Sequence, residues 1–135
     1  TLVLSDGTGL ELEINGEKTV LGSPGDMARF DGEASVLSRL GRGKIRDFNV
    51  MTRRGVFQNH VEVREDSAFH VDSTRSELES GLSANLLFLL ETQEVFANGS
   101  AKGLQRHDAI FIEAGDMGVR HTGKAVHIRL RSTGM

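Results

Sequence analysis

The feature that most constrains the fold is a short hairpin signature near the start of the chain. The alternating run Leu10-Glu11-Leu12-Glu13-Ile14 is followed by Asn15-Gly16 and then by a second extended run, Thr19-Val20-Leu21. Alternation with a period of two is typical of a strand with one buried face. Asparagine followed by glycine supplies the two positive φ angles that a two-residue hairpin turn requires. The sequence therefore predicts a β-hairpin over residues 10–21.

The same signature recurs in the second half of the chain. Asn98-Gly99 lies 83 positions after Asn15-Gly16, between the run Glu94 to Ala97 and a return segment that leads to Leu104. An aspartate and then a phenylalanine follow each Asn-Gly pair: Asp26 and Phe30 in the first half, Asp108 and Phe111 in the second. This recurrence predicts two related β lobes that arose by duplication. Chance repetition of a common hairpin turn is the alternative.

The remaining sequence also indicates an all-β fold in one domain. No segment keeps an apolar period of 3.6 residues, and 135 residues is a common length for a single domain. Residues 64–81 are polar and lack alternation, which predicts a connector or a short irregular helix. The apolar run Leu86 to Leu90 predicts a strand buried on both faces. We expect one domain, residues 1–135, with lobe one at 1–63, a connector at 64–83 and lobe two at 84–135.

Composition excludes several classes of function. There are no cysteines, which removes disulfides, thiolate nucleophiles and cysteine-ligated zinc. The 16 Lys and Arg residues against 19 Asp and Glu give a net charge of −3 with no basic block, which argues against binding to nucleic acid. No apolar run is long enough to span a membrane, and no leader opens the chain. We expect a soluble cytoplasmic protein, either a fragment or a processed chain, because Thr1 opens a predicted strand.

Two segments carry a resemblance to a known family. The segment Arg29-Phe30-Asp31-Gly32-Glu33-Ala34 and the run Arg46 to Arg54, which reads RDFNVMTRR, resemble the signature of the HutD/Ves family. The later Asp108 to Ile112 strand is similar to cupins in general, and the resemblance extends over the whole chain. It implies a cupin-like double-lobed β-barrel or jelly roll, a bicupin. It also implies further N-terminal residues and a regulatory, rather than catalytic, role in histidine utilisation.

The five histidines argue against a metal-binding cupin. Such a cupin presents two histidines separated by one residue on a strand, whereas no His-x-His occurs here. We therefore expect no metal and no other cofactor, and surface or hydrogen-bonded core positions for the histidines. His121 is the best exception, because it follows the cupin-like turn Glu113-Ala114-Gly115.

The predicted strand from Lys44 to Met51 carries the first set of candidate ligand-binding residues. Asp47, Asn49 and Met51 share one face, which mixes apolar and hydrogen-bonding side chains as a small-molecule pocket does. Phe30 of the signature is a further candidate. The alternative is that Asp47 and Asn49 bond to neighbouring backbone or to an arginine, in a structural role.

Arginines of the signature form the second set of candidates. Arg46, Arg53 and Arg54 could bind a carboxylate through the planar guanidinium fork. The family resemblance points to acids of histidine breakdown, such as urocanate or N-formylglutamate. A solvated Arg53-Arg54 pair beside Gly55 is the structural alternative.

These observations favour a metal-free binding module for a small carboxylate that moderates histidine utilisation, with an enzyme less favoured. The rival is a metal-independent cupin enzyme of the isomerase or epimerase type, with His107-Asp108 and His121 as acid–base groups. Adjacent strand residues face opposite sides, which arranges the His107-Asp108 pair poorly. A protein-interaction scaffold without a ligand is the third hypothesis. No Gly-x-Ser-x-Gly elbow supports a serine nucleophile. For partners we expect a homodimer, no nucleic acid and no membrane.

Overall fold

The computed structural model describes residues 1–71, 83–97, 99–112 and 117–134. Every regular element in these ranges is a β-strand, so the all-β prediction is confirmed. The described part of the chain holds no helix that could span a membrane. The strands are β1 (Leu2–Asp6), β2 (Leu10–Ile14), β3 (Glu17–Leu21), β4 (Met27–Ala28), β5 (Val36–Leu40), β6 (Arg46–Asn49), β7 (Phe57–Val71), β8 (Ser83–Leu89), β9 (Gln93–Ala97), β10 (Ser100–Leu104), β11 (Ala109–Ile112) and β12 (Met117–Ser132).

The chain divides into two compact units, which we call unit 1 (Thr1–Val50) and unit 2 (Met51–Met135). Unit 1 contains two three-stranded antiparallel sheets, ordered β4-β1-β6 and β3-β2-β5. Its core is a cluster of apolar side chains from the strands that alternate in sequence. The buried members are Leu2, Leu4, Leu10, Leu12, Leu21 and Ala28.

Both predicted hairpins are present. Asn15 and Gly16 have φ angles of 49° and 86°, and β2 and β3 pair from Leu10 opposite Leu21 to Ile14 opposite Glu17. β9 and β10 pair in the same way, and Gly99 has a φ of 72°, whereas Asn98 lies outside the described residues. The left-handed backbone that glycine tolerates closes each turn.

Unit 2 contains a sheet ordered β10-β9-β12-β8-β11, with β7 paired to β12 on its other side. β12 is therefore the central strand. It pairs with β9 through its first part and with β8 through its second part. The core cluster of this unit consists of Leu87, Leu89, Val95, Ile112, Val119 and Ala125.

The two units repeat one pairing scheme. β1 pairs with β4 and β6 as β8 pairs with β11 and β12, and β2 pairs with β3 and β5 as β9 pairs with β10 and β12. The recurring aspartates also correspond. Asp26 Oδ2 accepts the Ser23 amide at 3.0 Å, and Asp108 Oδ2 accepts the Gln105 amide at 2.9 Å. Each aspartate thus closes the turn directly before a short strand, which is β4 in unit 1 and β11 in unit 2. This shared role explains why the aspartate recurs in the sequence.

Two features differ from the sequence prediction, the connector and the burial of β8. Residues 64–71 of the predicted connector are the second half of β7, and residues 72–82 lie outside the described residues. β7 lies at the side of its sheet, where one strand edge can face solvent, so polar residues are tolerated there without alternation. The first compact unit ends at Val50, and the lobe boundary at residue 63 stays a prediction. β8 is a strand as predicted, but Leu86 and Phe88 are half-buried, so its two faces are not equally enclosed.

Candidate functional site

Asp47 and Asn49 lie on the core-facing side of β6 but are exposed. Leu4 is opposite Asp47 and Leu2 is opposite Asn49 in the antiparallel register, so each pair shares a face of the sheet. Leu2 and Leu4 belong to the core cluster, whereas both polar side chains are open to solvent. β6 is the edge strand of its sheet, and edge positions lack a neighbour on one side. Asp47 and Asn49 thus share the face of β6 that lies opposite core leucines, both are exposed, and their role in ligand binding stays a prediction.

Three further candidate residues lie in unit 1 or directly after it. Arg46 begins β6, is exposed, and accepts the Ser5 hydroxyl through its carbonyl oxygen at 3.1 Å. Phe30 is half-buried and packs against the core cluster of unit 1. Met51 follows the strand and is 85% exposed. Of these three side chains, Phe30 therefore contributes to packing, and its role in a ligand pocket remains a prediction.

Arg53 and Arg54 lie at the start of unit 2, on a turn that several hydrogen bonds stabilise. The Arg53 carbonyl accepts the amides of Val56 and Phe57 at 3.1 and 3.0 Å, and Gly55 has a φ of 73°. The Thr133 hydroxyl donates to the Gly55 carbonyl at 2.8 Å, which ties the turn to the C-terminal strand. Both arginine side chains are exposed on this turn. The backbone that carries these two exposed residues is thus fixed.

A buried aromatic cluster in unit 2 is the main feature that sequence reasoning missed. His127 is 6% exposed, and its ring stacks on Phe69 with centroids 4.2 Å apart. Its Nε2 lies 3.0 Å from Oδ1 of the buried Asn85, a hydrogen bond that forms in the tautomer with the proton on Nε2. Burial, and to a smaller extent the positive charge of Arg64, lower the pKa of His127 to about 4. His127 is therefore a neutral core histidine at physiological pH.

Charged residues of β7 border this cluster. The Arg64 guanidinium lies 5.0 Å from the centroid of the Phe69 ring and forms an ion pair with Glu62. The Glu62 carboxylate also lies 3.3 Å from Nε2 of His60. Although desolvation raises the pKa of Glu62, the hydrogen bonds from His60 and Arg64 outweigh it and lower the pKa. The Glu62 carboxylate is thus paired with both Arg64 and His60, which is typical of a structural network.

The acid–base candidates of the enzyme hypothesis are buried or make other contacts. His121 is fully buried, its Nδ1 lies 2.8 Å from the Gly123 carbonyl, and its Nε2 has no hydrogen-bond partner among the described residues. His107 adopts a φ of 72° and stacks on Phe88 with centroids 5.8 Å apart. Asp108 caps its turn through Oδ2. The structure does not bring these three side chains together as a proton-transfer site.

The alternation of polar and apolar residues in the sequence predicts part of this buried cluster. His60, Glu62 and Arg64 alternate with apolar residues, and so do His127 and Arg129, which predicts two strands with one polar face each. The register places Glu62 opposite His127. Nothing local in the sequence pairs those two strands or places Phe69 over the histidine ring.

Two open cavities on unit 2 involve other residues. One has a volume of about 420 Å³ and is bordered by Phe69, Phe96 and Arg120, and the other has a volume of about 370 Å³ and is bordered by Gln93, Leu104 and Thr122. Neither includes an arginine of the signature. Within residues 1–71, 83–97, 99–112 and 117–134, no three histidine or carboxylate side chains come together as a metal-binding group.

The geometry defines an all-β protein with a repeated pairing scheme, an exposed cationic turn and a neutral histidine core. The HutD family model matches residues 1–129, so the chain belongs to the HutD family. The structure is similar to that of HutD from Pseudomonas fluorescens SBW25, with a TM-score of 0.78, 25% identity, and coverage of 98% of this chain and 67% of that chain.

A second solved structure is also similar. It is the conserved protein of unknown function PA5104 from Pseudomonas aeruginosa PAO1, with a TM-score of 0.77, 20% identity, and coverage of 98% of this chain and 71% of that chain. At this identity the likeness concerns the fold alone. No curated protein matches the chain.

Proposed function

We propose that this protein is a metal-free, double-lobed cupin that binds a small carboxylate and moderates histidine utilisation in the cytoplasm. Membership of the HutD family supports the association with histidine utilisation. The repeated pairing scheme of the two units supports the double-lobed arrangement. Urocanate and N-formylglutamate are the ligands to test first, because both carry a carboxylate and both belong to histidine breakdown.

One observation carries the proposal: Arg53 and Arg54 project from a turn whose backbone is held by Thr133. A guanidinium binds a carboxylate through two parallel hydrogen bonds, and a fixed backbone reduces the entropy lost on binding. A separate proposed set of contacts comprises residues of β6, together with the signature residue Phe30 and with Met51, which follows unit 1 directly. The β6 members are Arg46, Asp47 and Asn49. The two sets are tested by separate variants.

The binding role is favoured over the enzyme because of the histidines. A general acid or base must reach the proton that it transfers, and His121 has no exposed surface. The ring nitrogen of His127 that would accept a proton from a substrate belongs to a side chain that is 6% exposed and stacked on Phe69. Binding of a carboxylate needs no such group.

Isothermal titration calorimetry with urocanate and with N-formylglutamate tests the proposal. We expect Arg53→Ala or Arg54→Ala to weaken binding by about 1.5 to 3 kcal/mol, the contribution of a charged hydrogen bond, with little change in melting temperature. Arg42→Ala is the matched control, because Arg42 is exposed on the loop before β6 and lies outside the signature. Asp47→Ala and Asn49→Ala test the second set.

Three results would contradict the proposal. Absence of binding by the unaltered protein to either acid would remove the ligand class. Equal binding of the methyl esters, which lack the negative charge, would remove the role of the arginines. A large loss of stability with unchanged affinity in the Arg53 and Arg54 variants would make them structural.

A further inference from the structure

The face of the unit 2 sheet that points away from its core cluster carries a hollow. The register places Arg120 of β12 opposite Ala68 of β7 on one side and opposite Phe96 of β9 on the other, so these three side chains share a face. The preceding residue, Val119, belongs to the core cluster and therefore lies on the other face. Ala68, Phe96, Arg120 and Gly118 are among the residues that line the cavity of about 420 Å³.

Small residues on either side of the arginine account for the hollow. Gly118 precedes Arg120 by two positions on the same strand face and has no side chain, and Ala68 beside it on β7 has only a methyl group. Both residues are exposed. The surface beside Arg120 is therefore low and apolar, and its volume is in the range of pockets that hold small molecules.

The Arg120 guanidinium is available for a ligand. Its central carbon lies 5.3 Å from the centroid of the Phe96 ring, in a cation–π contact. Among the residues that the structure describes, Arg120 has no hydrogen bond or ion pair. A cation–π contact does not use the N–H donors in the plane of the guanidinium, so these donors can still bind a carboxylate through two parallel hydrogen bonds.

Acidic residues near the hollow leave this cation unpaired. On the strands that flank β12, Glu94 precedes Phe96 by two positions and Asp66 precedes Ala68 by two positions. In the described part of the chain, neither carboxylate forms an ion pair with Arg120. Both lie in the direction of Thr122 along the antiparallel register, so an anion has access to Arg120 from the side of Gly118.

Unit 1 lacks this combination of side chains at the corresponding place. Val36 lies opposite Ile14 as Val119 lies opposite Ala97, so Leu37 opposite Glu13 corresponds to Arg120 opposite Phe96. That pair contains neither an arginine nor an aromatic ring. The shared pairing scheme therefore does not require a cation over a ring, which favours a role in binding over a role in the scaffold.

We propose that the hollow binds a small carboxylate with a flat apolar body, of which benzoate is the simplest example. The carboxylate accepts two N–H groups of Arg120, and the flat body lies over Ala68 and Gly118 against the Phe96 ring. An aromatic body gains from contact with that ring as well as from burial of apolar surface. The site is separate from the Arg53–Arg54 turn, and the inference does not rest on the proposed function.

Titration of the isotope-labelled chain with benzoate, followed by amide NMR spectra, tests the proposal. We expect saturable shifts of the Phe96, Gly118 and Arg120 amides. The Val56 and Phe57 amides report on the Arg53–Arg54 turn, because both donate to the Arg53 carbonyl. The two sites are thus observed independently in one experiment, and either one can fail alone.

Variants identify the group that binds the carboxylate. Arg120→Gln should raise the benzoate dissociation constant about tenfold or more, because a charged hydrogen-bonding group is lost. Arg39→Gln is the matched control, since Arg39 is an exposed strand arginine opposite Glu11 with no aromatic residue opposite it, and it should leave the constant unchanged. Ala68→Leu keeps the charge but fills the hollow, and it should also weaken binding about tenfold.

A further variant and two ligand analogues separate charge from shape. Glu94→Gln removes a nearby negative charge and should tighten binding about twofold. Benzamide, which is flat but neutral, and cyclohexanecarboxylate, which is charged but not flat, should each bind about tenfold more weakly than benzoate.

Four results would overturn the proposal. Absence of saturable shifts at Phe96, Gly118 and Arg120 would exclude the site. An unchanged dissociation constant in Arg120→Gln, or an equal loss in Arg39→Gln, would exclude recognition by this arginine. Equal binding of benzamide would remove the role of the charge. Unchanged binding in Ala68→Leu would show that benzoate does not occupy the hollow.

Discussion

His127 and Asn49 occupy corresponding places in the two units, yet their surroundings differ. Asn49 lies opposite Leu2 on β1, and His127 lies opposite Leu87 on β8. His127 is 6% exposed beneath Phe69, whereas Asn49 is exposed. β12 is flanked by strands on both sides, and β6 is an edge strand. The comparison teaches that the same place in a pairing scheme is a core position or a surface position according to the number of neighbouring strands.

The largest expected effect tests whether the two units have equivalent cores. Leu4 and Leu89 are both fully buried, and each donates its amide to the carbonyl of the recurring aspartate, Asp26 or Asp108, at 2.9 Å. We expect Leu4→Ala and Leu89→Ala each to lower the free energy of unfolding by about 2 to 5 kcal/mol. Urea denaturation measures this. Leu37→Ala, at an exposed position, should change it little, and a small effect at either core leucine would break the equivalence.

The next effect concerns pH and distinguishes His127 from Asn49. The pKa of His127 is lowered to about 4 in the folded protein, below the ordinary value of 6.5, because burial disfavours the charged ring. The unfolded chain therefore binds this proton more readily, and stability is lost as the pH falls from 6.5 towards 4. We expect this group to account for about 2 to 3 kcal/mol of the loss.

His127→Asn, which installs the residue found at the corresponding place in unit 1, isolates that contribution. Carboxylates also titrate as the pH falls, so the quantity to measure is the difference between the unaltered chain and the variant in urea titrations at several pH values. The variant should lose less stability on acidification. Identical pH profiles would show that His127 is not buried in its neutral form.

The smallest expected effect compares the two hairpin turns. Gly16 and Gly99 have φ angles of 86° and 72°, and an added Cβ would meet no atom within 4 Å at either position. The cost of Gly16→Ala and of Gly99→Ala should therefore come from the left-handed backbone alone, about 1 kcal/mol each. Thermal melting measures it. Gly103→Ala, in a strand with open space around it, should be neutral or slightly stabilising, and unequal costs at the two turns would show that their backbones differ.

Much of the fold follows from short segments of sequence. Two hairpins, at residues 10–21 and 94–104, the strand within residues 86–90 and the all-β character of the described residues could all be predicted, because turn geometry and side-chain periodicity depend on adjacent residues. The aspartates that recur after each Asn-Gly pair were recognised as a pattern, and their turn-closing role appears in the structure. The family signature identified the chain as a HutD member.

The candidate site could likewise be predicted only in part. That Asp47 and Asn49 face the side of Leu2 and Leu4 is a local property, because side chains alternate along a strand. Whether that side is enclosed depends on neighbouring strands. The long β7 could not be predicted either, since its polar second half is stable through pairing with β12 and not through its own pattern.

The sequence by itself determined the two hairpins with their turns, the apolar strand β8 and the absence of cysteine chemistry. Tertiary structure decided that His127 is neutral and which polar residues of the described chain are exposed. The physical reason is that the pKa of His127 and the exposure of Asn49 depend on contacts between residues far apart in sequence. Phe69, Asn85 and Arg64 act on His127 because β7 and β8 lie on either side of β12.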